Sequence, residues 1–155
     1  MTTYEKSLEV LLDLFGKDTQ FALATANNNI PTVRFIDALY YDGAFYVTTY
    51  GKSKKVIDIL ENSHVAWTKH LYSFSGNAYN IGHPLDEKNR ELRDILVKAF
   101  APWYFEANNE ESPYLCIVKM VPEKGFIFKD GSGYKIDFVG KTATEFPFTS
   151  DIVVI

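Results

Sequence analysis

The hydrophobic pattern changes period several times along the chain, and each change marks an element. Over residues 4–15 Leu8, Leu11, Leu12 and Phe15 fall on one helical face, and Gly16 is placed to end the helix. Gln20–Ala26 is a short apolar run closed by the turn-forming Asn27-Asn28-Asn29. Pro31–Tyr41 and Ala44–Tyr50 flank Asp42-Gly43, a strong two-residue hairpin signal. Strands joined so tightly must be antiparallel, which argues against a doubly wound nucleotide fold.

After Gly51 the period becomes helical. Ser53 is placed to cap a helix through Asn62, with Val56, Ile57, Ile59 and Leu60 as its buried stripe. His64–Lys69 and Leu71–Ile81 read as strands, with Gly76 a bulge or a close backbone approach. Asp86 opens a helix to about Phe100, in which Leu92, Ile95, Leu96 and Ala99 recur at helical spacing. Residues 101–112 read as a short helix or loop carrying exposed aromatics. Tyr114–Val121, Gly125–Lys129 and Tyr134–Val139 read as a meander, turning at Asp130-Gly131-Ser132-Gly133. Residues 141–155 carry no clear pattern beyond apolar Ile152–Ile155, which could pair as an edge strand.

These elements predict a mainly β protein with flanking helices: an antiparallel barrel of six or more strands, whose closure removes aggregation-prone edges. One domain over 1–155 is expected, with an N-terminal helix (1–16), a barrel with inserted helices (20–139) and a C-terminal tail (140–155). The aromatic fraction of 15% suits strands and flat-ligand pockets alike. A net charge of −4 argues against general nucleic-acid binding, which needs a basic face. The one cysteine, Cys116, lies in the apolar run Tyr114–Val118 and reads as core; it excludes an intramolecular disulfide and suits a reducing compartment. The sequence offers neither a secretory leader nor a membrane span, so a soluble cytoplasmic protein is expected. His64, His70 and His83 lack a metal-ligand spacing, although His70 and His83 could meet across adjacent strands, a weak case for haem or metal. Ser73 and Ser75 lack a nucleophile-elbow context. Trp67 reads as core.

The chemistry concentrates between Pro31-Thr-Val-Arg34 and Thr48-Thr49-Tyr-Gly-Lys52-Ser53-Lys54-Lys55. Arg34 begins the first strand of the hairpin and the two threonines end the second, so the antiparallel arrangement lets them converge. The next residues open a helix, where free N–H groups, the helix dipole and Ser53 favour an anion. Lys52, Lys54 and Lys55 add charge, and Arg34 offers a bidentate fork to phosphate. The residues alone read equally as a phosphate cradle or as a solvated basic turn.

Arg-Phe-Ile-Asp-Ala-Leu, Val-Thr-Thr, Ser-Lys-Lys, a helix, Glu-Asn-Ser-His-Val-Ala and then Gly76-Asn-Ala78 resemble the pyridoxamine 5′-phosphate oxidase-like family of flavin-binding split barrels. The match is clear over residues 20–80, and strand order extends it to about 139. The resemblance implies that Arg34, Lys54 and Lys55 hold the phosphate of flavin mononucleotide (FMN) and that Thr48 and Thr49 contact the flavin or its ribityl chain. It also implies an FMN-dependent oxidoreductase, homodimeric with the flavin at the interface, taking a small-molecule substrate and an electron donor such as NADH or NADPH. Trp103, with Tyr104 and Phe105, is either packing against the barrel mouth or a partner, or an aromatic lid over the flavin ring. The family's oxidase proper carries a lysine five residues after its arginine, where this chain has Leu39, and a C-terminal Trp-Arg segment that Glu145–Ile155 lacks. True pyridoxamine phosphate oxidation is therefore not expected. The alternative is a non-catalytic flavin- or haem-binding protein of stress response or sensing.

Overall fold

The computed structural model describes residues 1–150. The expected edge strand at Ile152–Ile155 lies outside them. Helix α1 (Thr3–Phe15) starts from a reciprocal cap, in which the Glu5 N–H donates to Thr2 Oγ1 and the Thr2 N–H donates to the Glu5 carboxylate. Strands β1 (Thr19–Asn27), β2 (Ile30–Tyr41) and β3 (Ala44–Tyr50) follow, then α2 (Lys54–Glu61), β4 (His64–Lys69) and β5 (Tyr72–Asn80). A helical excursion, a 3-10 turn (Glu87–Asn89), α3 (Arg90–Ala99) and α4 (Tyr104–Ala107), precedes β6 (Leu115–Lys129), β7 (Ser132–Asp137) and β8 (Thr142–Pro147). Among the described residues no helix is long and apolar enough to cross a membrane.

All pairings are antiparallel, in the order β3-β2-β1-β4-β5-β6-β7-β8, and an added β3–β6 pairing closes the first six strands into a barrel. β2 and β3 pair only from Leu39↔Tyr46 to Tyr41↔Ala44 and then part. β3 continues along β6 from Phe45↔Met120 to Tyr50↔Leu115. That parting splits the barrel and opens one end of it beside Arg34.

Three expectations change here. β6 is one continuous strand rather than two, because its irregularity at Pro122 is absorbed by a register shift opposite Ser75 and Gly76. Gly76 is required there, since any Cβ would collide with the Val121 carbonyl oxygen. The turn is only Asp130-Gly131, both at positive φ; Ser132 and Gly133 already belong to β7. β8, invisible in the pattern of 141–155, pairs along β7 from Ser132↔Pro147 to Asp137↔Thr142. As an edge strand with mostly exposed side chains it needs no apolar alternation.

Two cores result. Phe21, Phe45, Trp67 and Phe74 fill the barrel, with ring centroids 4.9 Å apart for Phe45–Phe74 and 5.4 Å for Phe45–Trp67, and α1 adds Leu11 and Phe15. Outside the barrel, Leu39, Ala44, Tyr46 and Ile117 pack under Leu96, Phe100 and Tyr104. β3 is thus buried on both faces, which explains why its apolar residues Ala44–Val47 run on without alternation.

Candidate functional site: a cationic cluster at the barrel mouth

α2 closes the open end of the barrel by turning Val56 and Ile59 into the interior core. Ile57 and Leu60, expected in that stripe, are exposed instead, and Asp58 takes the inward position with no exposed surface. On β2, Thr32 and Arg34 share the face of Ile36, Ala38 and Tyr40, which line the interior. They therefore point into the mouth, beside Thr25 of β1, the register partner of Thr32.

Asp58 is the hub. Its carboxylate accepts from Lys54 Nζ at 2.6 Å, Thr25 Oγ1 at 2.8 Å, Thr32 Oγ1 at 3.0 Å and Asn27 Nδ2 at 3.4 Å. The Lys54 contact and these hydrogen bonds outweigh burial and hold its carboxyl far below the usual carboxylate range.

Arg34 is also drawn inward. Nη1 donates to Thr25 Oγ1 at 2.7 Å and to the Leu23 carbonyl at 3.3 Å; Nη2 donates to Thr32 Oγ1 at 3.1 Å and lies 3.6 Å from Asp58 Oδ2. The bidentate fork anticipated for a ligand is thus occupied by the protein, which leaves the positive charge of Arg34 as its contribution to the site. Lys55 differs from both neighbours: it has no acidic partner among the described residues. It is half-buried, and that burial, followed by repulsion from Arg34, pulls its ammonium below the ordinary lysine value, with Cys116 acting weakly the other way. Cys116 is buried, its thiol pushed up to about 11 by that burial. Ser53 stands at the N-cap of α2 in an extended conformation, yet its side chain makes no capping bond, and its Oγ is buried without a partner.

The remaining candidates separate. Thr49 is paired with Cys116 on the interior side, whereas Thr48 alternates to the face of Tyr46 and Ile117, under the helical excursion. The two threonines cannot both face Arg34, and Thr48 Oγ1 is buried without a partner. Lys52 lies over the Tyr114 ring, 3.9 Å from its centroid. Trp103 stacks on Phe100 at 4.6 Å and donates Nε1–H to Asp18 Oδ2 at 2.7 Å. Asp18 adjoins the start of β1, about 20 Å along the strand from Thr25, so within one chain Trp103 is not part of this cluster. His70 and His83 do not meet: they flank opposite ends of β5, about 25–30 Å apart. Both ring nitrogens of His83 are engaged, Nδ1 by the Leu85 N–H and Nε2 by the Ser112 carbonyl. Among the described residues no group of three His, Cys, Asp or Glu side chains could hold a metal.

Thr25, Thr32 and Asp58 were not anticipated. The one available signal was the Lys54–Asp58 spacing of four on a helix, an ordinary surface-pair pattern that gave no sign of burial.

Solved structures share this architecture at low identity. A Listeria innocua protein assigned as a pyridoxamine 5′-phosphate oxidase is 20% identical, with a TM-score of 0.59 over 78% of this chain and 94% of its own. A FAD-binding protein from Mesorhizobium loti is 18% identical, with a TM-score of 0.58 over 77% of this chain and 91% of its own. A haem storage protein from Vibrio cholerae is 12% identical, with a TM-score of 0.59 over 79% of this chain and 92% of its own. No family model matches the chain, and no curated protein matches it. The chain has the split-barrel fold of the pyridoxamine 5′-phosphate oxidase-like proteins, a fold that includes flavin-binding and haem-binding members.

Proposed function

We propose that this chain binds FMN through its phosphate at the barrel mouth and serves as a flavin-dependent oxidoreductase acting on a small molecule. The observation that carries the reading is Lys55, a half-buried ammonium beside Arg34 with no carboxylate among the described residues to compensate it. A cation in that position is costly unless an anion joins it. The first turn of α2 supplies free N–H groups, and the unbonded Ser53 Oγ adds a hydroxyl beside them. Lys55 and Ser53 are thus the direct phosphate ligands, with Arg34 contributing charge. Thr49 is the threonine on the same side of β3.

A bound flavin supplies the two-electron redox chemistry, with NADH or NADPH as the expected donor. The protein anchors and orients it. A homodimer with a shared site is supported by the outer face of β2, where Val33 and Phe35, on either side of Arg34, are 70% and 72% exposed. Flavin is favoured over haem because His83 has no free ring nitrogen for iron, while His64 and His70 stand at the two ends of β4. Pyridoxamine phosphate oxidation is not part of the proposal: Leu39, at the position of the oxidase lysine, is buried in the outer core. The test is the visible spectrum of the protein after incubation with FMN or haemin and gel filtration. Retained flavin bands support the proposal, and a retained Soret band without flavin overturns it.

A further inference from the structure

Three cations, Arg34, Lys54 and Lys55, stand together at the barrel mouth, and like charges so placed repel. The structure assigns Asp58 the role of positioning residue for the phosphate anchor: its buried carboxylate holds Arg34 and Lys54 in place beside Lys55 and so keeps the cluster assembled before a ligand arrives. This inference rests on the FMN-phosphate reading.

The geometry gives the mechanism. Each of Thr25 and Thr32 has one hydroxyl proton. Both oxygens lie within 3.0 Å of Asp58 Oδ2, which can only accept, so the protons turn toward Asp58. The lone pairs are left facing Arg34, which donates to both oxygens. The carboxylate thereby fixes the plane of the guanidinium through two hydroxyls as well as by its own charge. The same carboxylate holds Lys54 at 2.6 Å, one helical turn away on α2, and so ties the helix start to β1 and β2. One carboxylate against three cations leaves two positive charges uncompensated. A phosphomonoester carries about −1.5 to −2 near neutral pH, so the assembled site is charge-matched to one. Preorganised charge of this kind raises affinity because the cost of bringing the cations together is met on folding.

The experiment uses the full chain and the variant Asp58→Asn, with dissociation constants for FMN and for riboflavin measured by quenching of flavin fluorescence at one ionic strength. Positioning predicts that FMN binds about tenfold more weakly to the variant while riboflavin is unchanged, so the preference for the phosphorylated ligand contracts about tenfold. Thr32→Val, which preserves shape and removes one hydroxyl of the relay, contracts it in the same sense by a smaller factor. A folded Asp58→Asn chain with an unchanged preference would make Asp58 purely structural. An enlarged preference would make it a competitor of the phosphate; either result overturns the inference. Should Asp58→Asn fail to fold, an unchanged preference in Thr32→Val overturns it. Equal affinities of the unmodified chain for FMN and riboflavin would instead refute the phosphate reading itself, before any variant is considered.

Discussion

Replacing Lys55 by Met should move stability and affinity in opposite directions. Methionine keeps the length and the apolar stem of lysine but removes a half-buried ammonium that burial and Arg34 both disfavour. The ligand-free chain loses nothing that paired with that charge, since no carboxylate contacts it among the described residues. Residues strained for function commonly return about 0.5–2 kcal/mol when replaced, and for a chain of this size each 1 kcal/mol raises Tm by about 2–4 °C. The FMN phosphate loses a charge-assisted contact of about 1.5–3 kcal/mol, which weakens binding about tenfold to a hundredfold. Riboflavin, lacking the phosphate, should be unaffected. Thermal unfolding of the ligand-free protein and fluorescence titration with both flavins give the three numbers. A fall in Tm with FMN affinity unchanged would refute the reasoning, because Lys55 would then be a packing residue.

Asp58 has a depressed carboxyl in the folded chain, so its contribution to stability is present above the unfolded carboxylate range and is lost as pH falls through and below it; thermal unfolding between pH 6 and 3 should show that loss, flattened in Asp58→Asn. Cys116, buried with its thiol pushed up to about 11, should react with a thiol reagent at pH 8 only after denaturation, followed by absorbance. Sedimentation should give twice 17.7 kDa, and Val33→Asp with Phe35→Asp should yield a monomer with weakened FMN binding; a double variant that stays dimeric would place the interface elsewhere. FMN-loaded protein given pyridoxamine 5′-phosphate and oxygen should release negligible pyridoxal 5′-phosphate, because the oxidase lysine is replaced by buried Leu39; turnover above about 1 per second would contradict this.

The barrel was legible because its signals are local. Asp42-Gly43 fixes one hairpin, and alternation or apolar runs mark most of the strands. Gly76 announces a close approach that the Val121 carbonyl in fact makes. β8 was illegible because an edge strand with little burial leaves no alternation to read. The division between Thr48 and Thr49 follows from strand alternation, but which one faces the mouth depends on the β3–β6 closure, a long-range pairing that no local pattern reveals. The same limit hid the polar hub. Thr25, Thr32 and Asp58 lie in three elements and are ordinary residues for a strand or a helix surface, and only the packing of α2 over the barrel mouth makes Asp58 a buried anion. Arg34 is singled out in the sequence by type and position, while the direction of its fork is set by those unseen partners.

The role proposed for the barrel mouth is recognition of a phosphate carried on a flavin. The most direct measurement is a paired titration of the unmodified, ligand-free protein with FMN and with riboflavin, read by fluorescence quenching at the same pH and ionic strength. Phosphate recognition predicts FMN binding at least about tenfold tighter, since a charge-assisted contact of about 1.5–3 kcal/mol belongs to the phosphate alone, with the difference shrinking as salt is added. Equal affinities for the two, or no binding of either, would contradict it.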